Sequence, residues 1–275
     1  MLFHRRQPRL KFQPPQKGEE LIRFEHLQKS FGPKCVYDDL MLSVYAGETL
    51  TVIGGSGTGK SVLLKCLIGL LRPDAGRILF DGQELNDFRE EDFIDVRRHV
   101  AMVFQGAALF DSLTVGENIA YPLREHFPHM PPDELRARVA EKLRLVNLPG
   151  IEDMKPADLS GGMKKRVGLA RAIATDPEVI LWDEPTTGLD PVTTETINQM
   201  IRSMQRQLGC TSIVVTHDMM SAFSVSDRIA MLANRRIVQV GTPEEMRVST
   251  VPEVRAFLDA RRGEFESQVG VGVAP

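Results

Sequence analysis

Apolar and polar positions alternate over Leu21-Ile22-Arg23-Phe24-Glu25-His26-Leu27 and again over Leu40–Val44, each run bounded by turn-forming residues. A period of two predicts a pair of antiparallel strands. The run Thr49–Ile53 predicts a buried strand, and Lys60 to Leu71 carries apolar positions at helical spacing that stop before Pro73. Gly76–Gly82 reads as a strand entering a tight Asp81-Gly82 turn. A mainly helical stretch runs from about Phe110 to Thr175. Strands and helices then alternate through Val179–Trp182, Ile213–Thr216 and Ile229–Leu232, which predicts a parallel core sheet with a helical insertion.

The chain has 275 residues, 42% of them hydrophobic and 26% charged, enough to bury a substantial core in one or two domains. No internal repeat is visible, so one unit is expected. No stretch approaches the roughly 18–20 apolar residues a membrane span needs, and residues 1–20 lack a secretory apolar centre, so a cytosolic chain is expected. Cys35, Cys66 and Cys210 are widely spaced and form no C-x-x-C pair, which argues for reduced thiols over disulfides or zinc. A formal net charge of −3 gives no global basis for binding nucleic acid. Residues 1–20 depart from that balance. Arg5, Arg6, Arg9, Lys11 and Lys17 precede any acid before Glu19, among Pro8, Pro14 and Pro15. This segment is expected to be a flexible basic arm, either solvated or in contact with anionic lipid. The tail, residues 261–275, is expected to be flexible as well.

The most specific motif is Gly54-Gly55-Ser56-Gly57-Thr58-Gly59-Lys60-Ser61, followed by Val62, which fits G-x-x-x-x-G-K-[ST] between a strand and a helix. Its glycines let backbone amides approach phosphate. Lys60 suits the β and γ phosphates of ATP, and the Ser61 hydroxyl suits Mg²⁺. A second element, Val179-Ile180-Leu181-Trp182-Asp183-Glu184, delivers two carboxylates to the end of a buried strand, where ligands of such sheets bind. Asp183 fits a Mg²⁺ ligand and Glu184 a base for the attacking water. By itself a strand ending in Asp-Glu is weak; beside the glycine loop it points to nucleotide hydrolysis.

A third element, Leu159-Ser160-Gly161-Gly162-Met163, opens a helix about twenty residues before the acidic strand end. It resembles the signature of the ATP-binding cassette (ABC) family, and the resemblance covers roughly residues 21–260. It implies an α/β P-loop NTPase nucleotide-binding domain of two lobes: a parallel core sheet with an antiparallel β subdomain, and an inserted helical subdomain at about residues 106–175. It also implies roles for further residues. Phe31 matches the aromatic that stacks on adenine, Gln105 the glutamine that senses Mg²⁺ and water, Asp190 in Gly188-Leu189-Asp190 the loop crossing the dimer interface, and His217 the histidine that contacts the γ-phosphate. In such a homodimer, Ser160, Gly161 and Gly162 serve the nucleotide held by the other chain.

Within the family, Phe104–Val115, Asn118–His126 and Met163 in place of a usual glutamine resemble the ATPases of Mla phospholipid transporters, which belong with MCE-type lipid systems. The resemblance implies a permease, an MCE-type lipid-binding subunit and a STAS-domain subunit as partners, and a peripheral place on the cytoplasmic face of the inner membrane. Other ABC transporter motors and the soluble ABC ATPases of iron–sulfur assembly share the motor motifs. A purely regulatory binding module would lack the base that Glu184 supplies.

Overall fold

The computed structural model describes residues 10–13 and 15–269. The alternating start forms two long antiparallel strands, β1 (Glu20–Phe31) and β2 (Lys34–Tyr45), turning at Gly32-Pro33. The buried strand β3 (Thr49–Ile53) leads through the glycine loop into helix α1 (Lys60–Leu67). This helix stops four residues short of the expected Leu71. Gly69 adopts φ +72° against the Phe93 ring, where an added Cβ would lie 2.6 Å from the ring, so the helix ends at the one residue type that fits.

Strands β4 (Ala75–Phe80) and β5 (Gln83–Glu84) turn at Asp81-Gly82, both with positive φ as a primed hairpin turn requires. They complete a sheet of order β2-β1-β4-β5, which is the antiparallel subdomain. Helix α2 (Glu90–His99) leads into β6 (Val100–Val103). The helical lobe follows: α3 (Val115–His126), α4 (Pro132–Leu145) and α5 (Gly161–Ala172). Strand β7 (Val179–Asp183), helix α6 (Pro191–Leu208), strand β8 (Thr211–Thr216), helix α7 (Met219–Val225) and strands β9 (Arg228–Ala233) and β10 (Arg236–Gly241) build the core. Helices α8 (Pro243–Arg247) and α9 (Pro252–Val269) close the chain.

The core sheet has the order β10-β9-β3-β8-β7-β6; all its pairings are parallel except that of the edge strand β10 with β9. Strands β3, β7 and β8 are buried along their length, which is why the first four residues of β7 are all apolar and β3 and β8 carry no polar residues beyond small Thr and Ser. One core fills the space between the two sheets and α1, and a second joins the helical lobe to α6 and the far face of β7.

Both ends depart from the expected flexible segments. Helix α9 continues through Gly263 to Val269. At the start, Leu10 is buried and Phe12 stacks between Phe80 and His99, with ring centroids 5.3 and 4.3 Å away. The Lys11 amide donates to Gln83 Oε1 and Gln83 Nε2 donates back to the Lys11 carbonyl, each at 3.0 Å, while the Gln13 amide donates to Asp81. Prolines and basic residues around Leu10 and Phe12 obscured two apolar anchors. Residues 1–9, with Arg5, Arg6 and Arg9, lie outside the described residues, as do Pro14 and 270–275.

Candidate active site

Parallel pairing brings the motifs to one edge of the core sheet. In register, Ile53 lies opposite Thr216, Asp183 opposite Val215 and Val103 opposite Trp182. The glycine loop, His217, Glu184 and the segment carrying Gln105 therefore leave neighbouring strands at the same end, where α/β sheets bind ligands. They meet in a cleft of about 480 Å³ lined by Phe31, Ser56, Gly57, Gly59, Lys60, Ser61, Val62, Gln105, Glu184 and His217, together with Lys34 and Val36.

The loop is shaped by close contacts. A Cβ at Gly54 would lie 2.5 Å from the Leu232 carbonyl oxygen, and one at Gly59 would lie 2.3 Å from Val36 Cγ1. Gly57 and Gly59 have φ +73° and +107°. Bulkier residues would clash at the first pair and strain at the second. The Tyr37 hydroxyl donates to the Gly59 carbonyl, and burial pushes that phenol well above its ordinary range, keeping it a donor. Thr58 Oγ1 donates to the Gly55 carbonyl at 2.9 Å.

Lys60, only 6% exposed, places Nζ 3.1 Å from the carbonyls of both Gly54 and Gly55 and 3.8 Å from Glu184 Oε1. Ser61 Oγ donates to Asp183 Oδ1 at 2.5 Å, joining the first turn of α1 to the end of β7. Glu184 sits at φ +50° with its amide donating to the Val215 carbonyl. Its Oε2 accepts from Thr187 Oγ1 at 3.1 Å and His217 Nδ1 at 2.8 Å. A carboxylate only accepts, so Nδ1 carries that proton. Phe31, 45% exposed, has Lys29 Nζ 5.2 Å from its ring centroid, and Asp74 anchors Lys29 at 2.7 Å.

Ser160, Gly161, Gly162 and Asp190 are not among the residues lining this cleft. Ser160 caps α5, accepting from the Met163 amide at 3.2 Å, and Gly161 faces open space. Asp190 caps α6, accepting from the amides of Val192 and Thr193 at 3.0 Å. Gly162 packs so near Thr193 that an added Cβ would lie 2.8 Å from its methyl. Ser160, Gly161 and Asp190 are exposed, and the contact of Gly162 with Thr193 joins the starts of α5 and α6.

Sequence reading missed Lys34, Val36, Tyr37, Thr187, Lys165 and Arg171. Lys165 Nζ donates to the carbonyls of Pro185 and Thr187 at 3.0 and 2.6 Å, and Arg171 to those of Ala107 and Ala108 at 3.0 and 2.8 Å. Burial lowers the pKa of both cations. Ala107 and Ala108 both have positive φ, and Ala107 packs on Gly168 of α5. The segment after Gln105 is thus held on α5, and Asn118, fully buried, fixes its far end by bonding both the amide and the carbonyl of Phe110. Basic residues on a helix resemble a solvated face, and carbonyl partners leave no mark in a sequence.

The profile of the ABC transporter family matches residues 37–187. The chain belongs to the ABC transporter ATPase family. It is 44% identical over 241 residues to the "Probable ribonucleotide transport ATP-binding protein mkl" of Mycobacterium leprae, covering 88% of this chain and 69% of that one. It is 39% identical over 252 residues to the "Intermembrane phospholipid transport system ATP-binding protein MlaF" of Haemophilus influenzae, covering 92% and 94%. Among solved structures, the dimeric ABC cassette MJ0796 with ADP and Pi superposes with a TM-score of 0.75 at 31% identity, covering 81% of this chain and 99% of that one. As an ABC ATPase, the chain binds and hydrolyses ATP. No helix among the described residues is long and apolar enough to cross a membrane.

Proposed function

We propose that this ABC ATPase energises phospholipid transport between inner and outer membranes, acting as a homodimer on the cytoplasmic face of the inner membrane. The observation that carries the reading is the similarity to the Haemophilus phospholipid transport protein over nearly the whole of both chains. Its partners are then transmembrane permease subunits, an MCE-type lipid-binding subunit and a STAS-domain subunit.

In the site, Lys60 and the amides from Gly54 to Ser61 hold the phosphates, and Phe31 stacks on adenine. Glu184 takes the proton of the attacking water and His217 holds that carboxylate and meets the γ-phosphate. Ser61 and Asp183 present two hard oxygens 2.5 Å apart, with Gln105 lining the same cleft, and this donor set fits Mg²⁺. When bound, the cation would neutralise phosphate charge. Ser160, Gly161, Gly162 and Asp190 lie outside the lining of their own chain's cleft, with all but Gly162 exposed, which suits contact with the second chain's nucleotide.

The greater identity to the Mycobacterium protein favours a second reading, ribonucleotide cargo. Purifying the tagged protein from membranes and identifying the co-purifying subunits separates the two. Recovery of an MCE-type subunit, with phospholipid altering ATP hydrolysis by the reconstituted complex, supports the lipid reading. A permease for another cargo, with no MCE-type subunit, defeats it and leaves the motor assignment intact.

A further inference from the structure

We infer that Lys165, on the signature helix α5, is a positioning residue for the base Glu184, acting through Thr187. The inference rests on the reading of Glu184 as that base. Glu184 follows strand β7 directly, in a left-handed conformation, and the chain then turns sharply through Pro185, Thr186 and Thr187. Two short-range bonds set the turn: the Thr187 amide donates to the Glu184 carbonyl at 3.3 Å, and Thr187 Oγ1 donates to Glu184 Oε2 at 3.1 Å. Thr187 thus shares the hold on this oxygen with His217, whose Nδ1 lies 2.8 Å from it and whose amide lies 3.4 Å from it, and with Thr216 Oγ1 at 3.4 Å.

What directs Thr187 lies twenty-two residues earlier in the chain. The Lys165 ammonium spans the turn, donating to the Pro185 carbonyl at 3.0 Å and the Thr187 carbonyl at 2.6 Å. Both contacts are charge-assisted and partly shielded from water, so they hold more firmly than an exposed lysine contact would. Burial lowers the Lys165 pKa, and the charge of Glu184 opposes that shift. Two links act in series on Glu184, Lys165 Nζ fixing the Thr187 carbonyl and the Thr187 hydroxyl holding Oε2, while His217 Nδ1 holds the same oxygen independently.

The arrangement has a mechanical consequence. Helix α5 is capped by the exposed Ser160, and Gly162 is packed against Thr193 beyond the same turn. Arg171, near the other end of α5, grips the segment after Gln105. Any shift of α5 is therefore felt at the base, and Lys165 is the side chain that carries it.

The test uses the full-length protein in its transporter complex. Lys165→Met is expected to lower kcat about tenfold to a hundredfold, the cost of a base displaced by an ångström or less, with KM for ATP held within about threefold. Lys165→Arg, which keeps a charged donor, should recover most of the rate. Thr187→Val, isosteric but without the hydroxyl, should reproduce the kcat loss, and combining it with Lys165→Met should add little. A Lys165→Met protein with near-normal kcat overturns the proposal, as does one whose loss is in KM alone, or a double variant whose losses multiply. Glu184→Gln measured alongside separates the two claims. If it turns over normally, the base assignment fails and this inference with it; if it is slow while Lys165→Met is not, only this inference fails.

Discussion

His217 Nδ1 lies 2.8 Å from Glu184 Oε2, while Lys60 Nζ lies 3.8 Å from the other oxygen of the same carboxylate. The residue after β8 and the first residue of α1 thus converge on the acid that follows β7. That convergence sets apart what each side chain contributes, and it fixes the direction of the first prediction.

Glu184→Gln keeps the shape of the side chain and the glycine loop but removes the proposed base. The variant is expected to bind ATP, to accumulate a closed ATP-bound dimer, and to hydrolyse about 10²- to 10⁴-fold more slowly. Lys60→Ala should weaken binding and turnover together. Steady-state kinetics with size-exclusion chromatography in ATP checks both, and near-normal hydrolysis by Glu184→Gln would overturn the assignment.

Ser160 is exposed and does not line its own chain's cleft, so under the proposed homodimer its substitution should act across the interface. A chain with Ser160→Arg and a chain with Lys60→Ala are each expected to be inactive alone. Mixed together they form one site from two intact halves, and activity should return in part. A monomer that hydrolyses ATP by itself would sink the shared-site geometry.

Phe12 makes a claim about stability. Its ring is packed between Phe80 of β4 and His99 of α2, joining the antiparallel subdomain to the core. Phe12→Ala should cost about 1–2 kcal/mol, the range for losing a partly buried aromatic and its stacking. Urea unfolding measures it, and an unchanged midpoint would show the arm contributes nothing.

His126, the last residue of α3, has its pKa lowered from about 6.5 by burial first and by the Arg98 cation second, against an opposing effect of Glu125. The folded state then favours neutral imidazole. Its contribution to stability is fully present above the unfolded value near 6.5 and is lost as pH falls through the folded one. Acidification from neutral pH should lower the melting temperature, and His126→Gln should flatten part of that decline. Equal slopes for the two proteins across this window would contradict the assignment.

Much of this molecule is local in origin, and that part is legible in the chain. Alternation over Leu21–Leu27 and the apolar runs at Thr49–Ile53 and Val179–Trp182 gave strands because side-chain period and burial are written residue by residue. The Gly54–Ser61 loop was readable because its glycines and Lys60 answer to short-range backbone geometry. Where contacts join distant segments, tertiary structure decided. The sheet order brought Gln105, Glu184 and His217 to one edge through pairings between strands far apart in sequence. Gly69 ended α1 early because the Phe93 ring lies against it. Leu10 and Phe12 became anchors because the buried core and the rings of Phe80 and His99 lie against them, while the prolines and basic residues around them argued for a loose arm. Lys165 and Arg171 found backbone carbonyls, which every residue carries and no sequence pattern marks. A motif records the chemistry a short segment can do; only the folded chain sets which distant groups hold it in place.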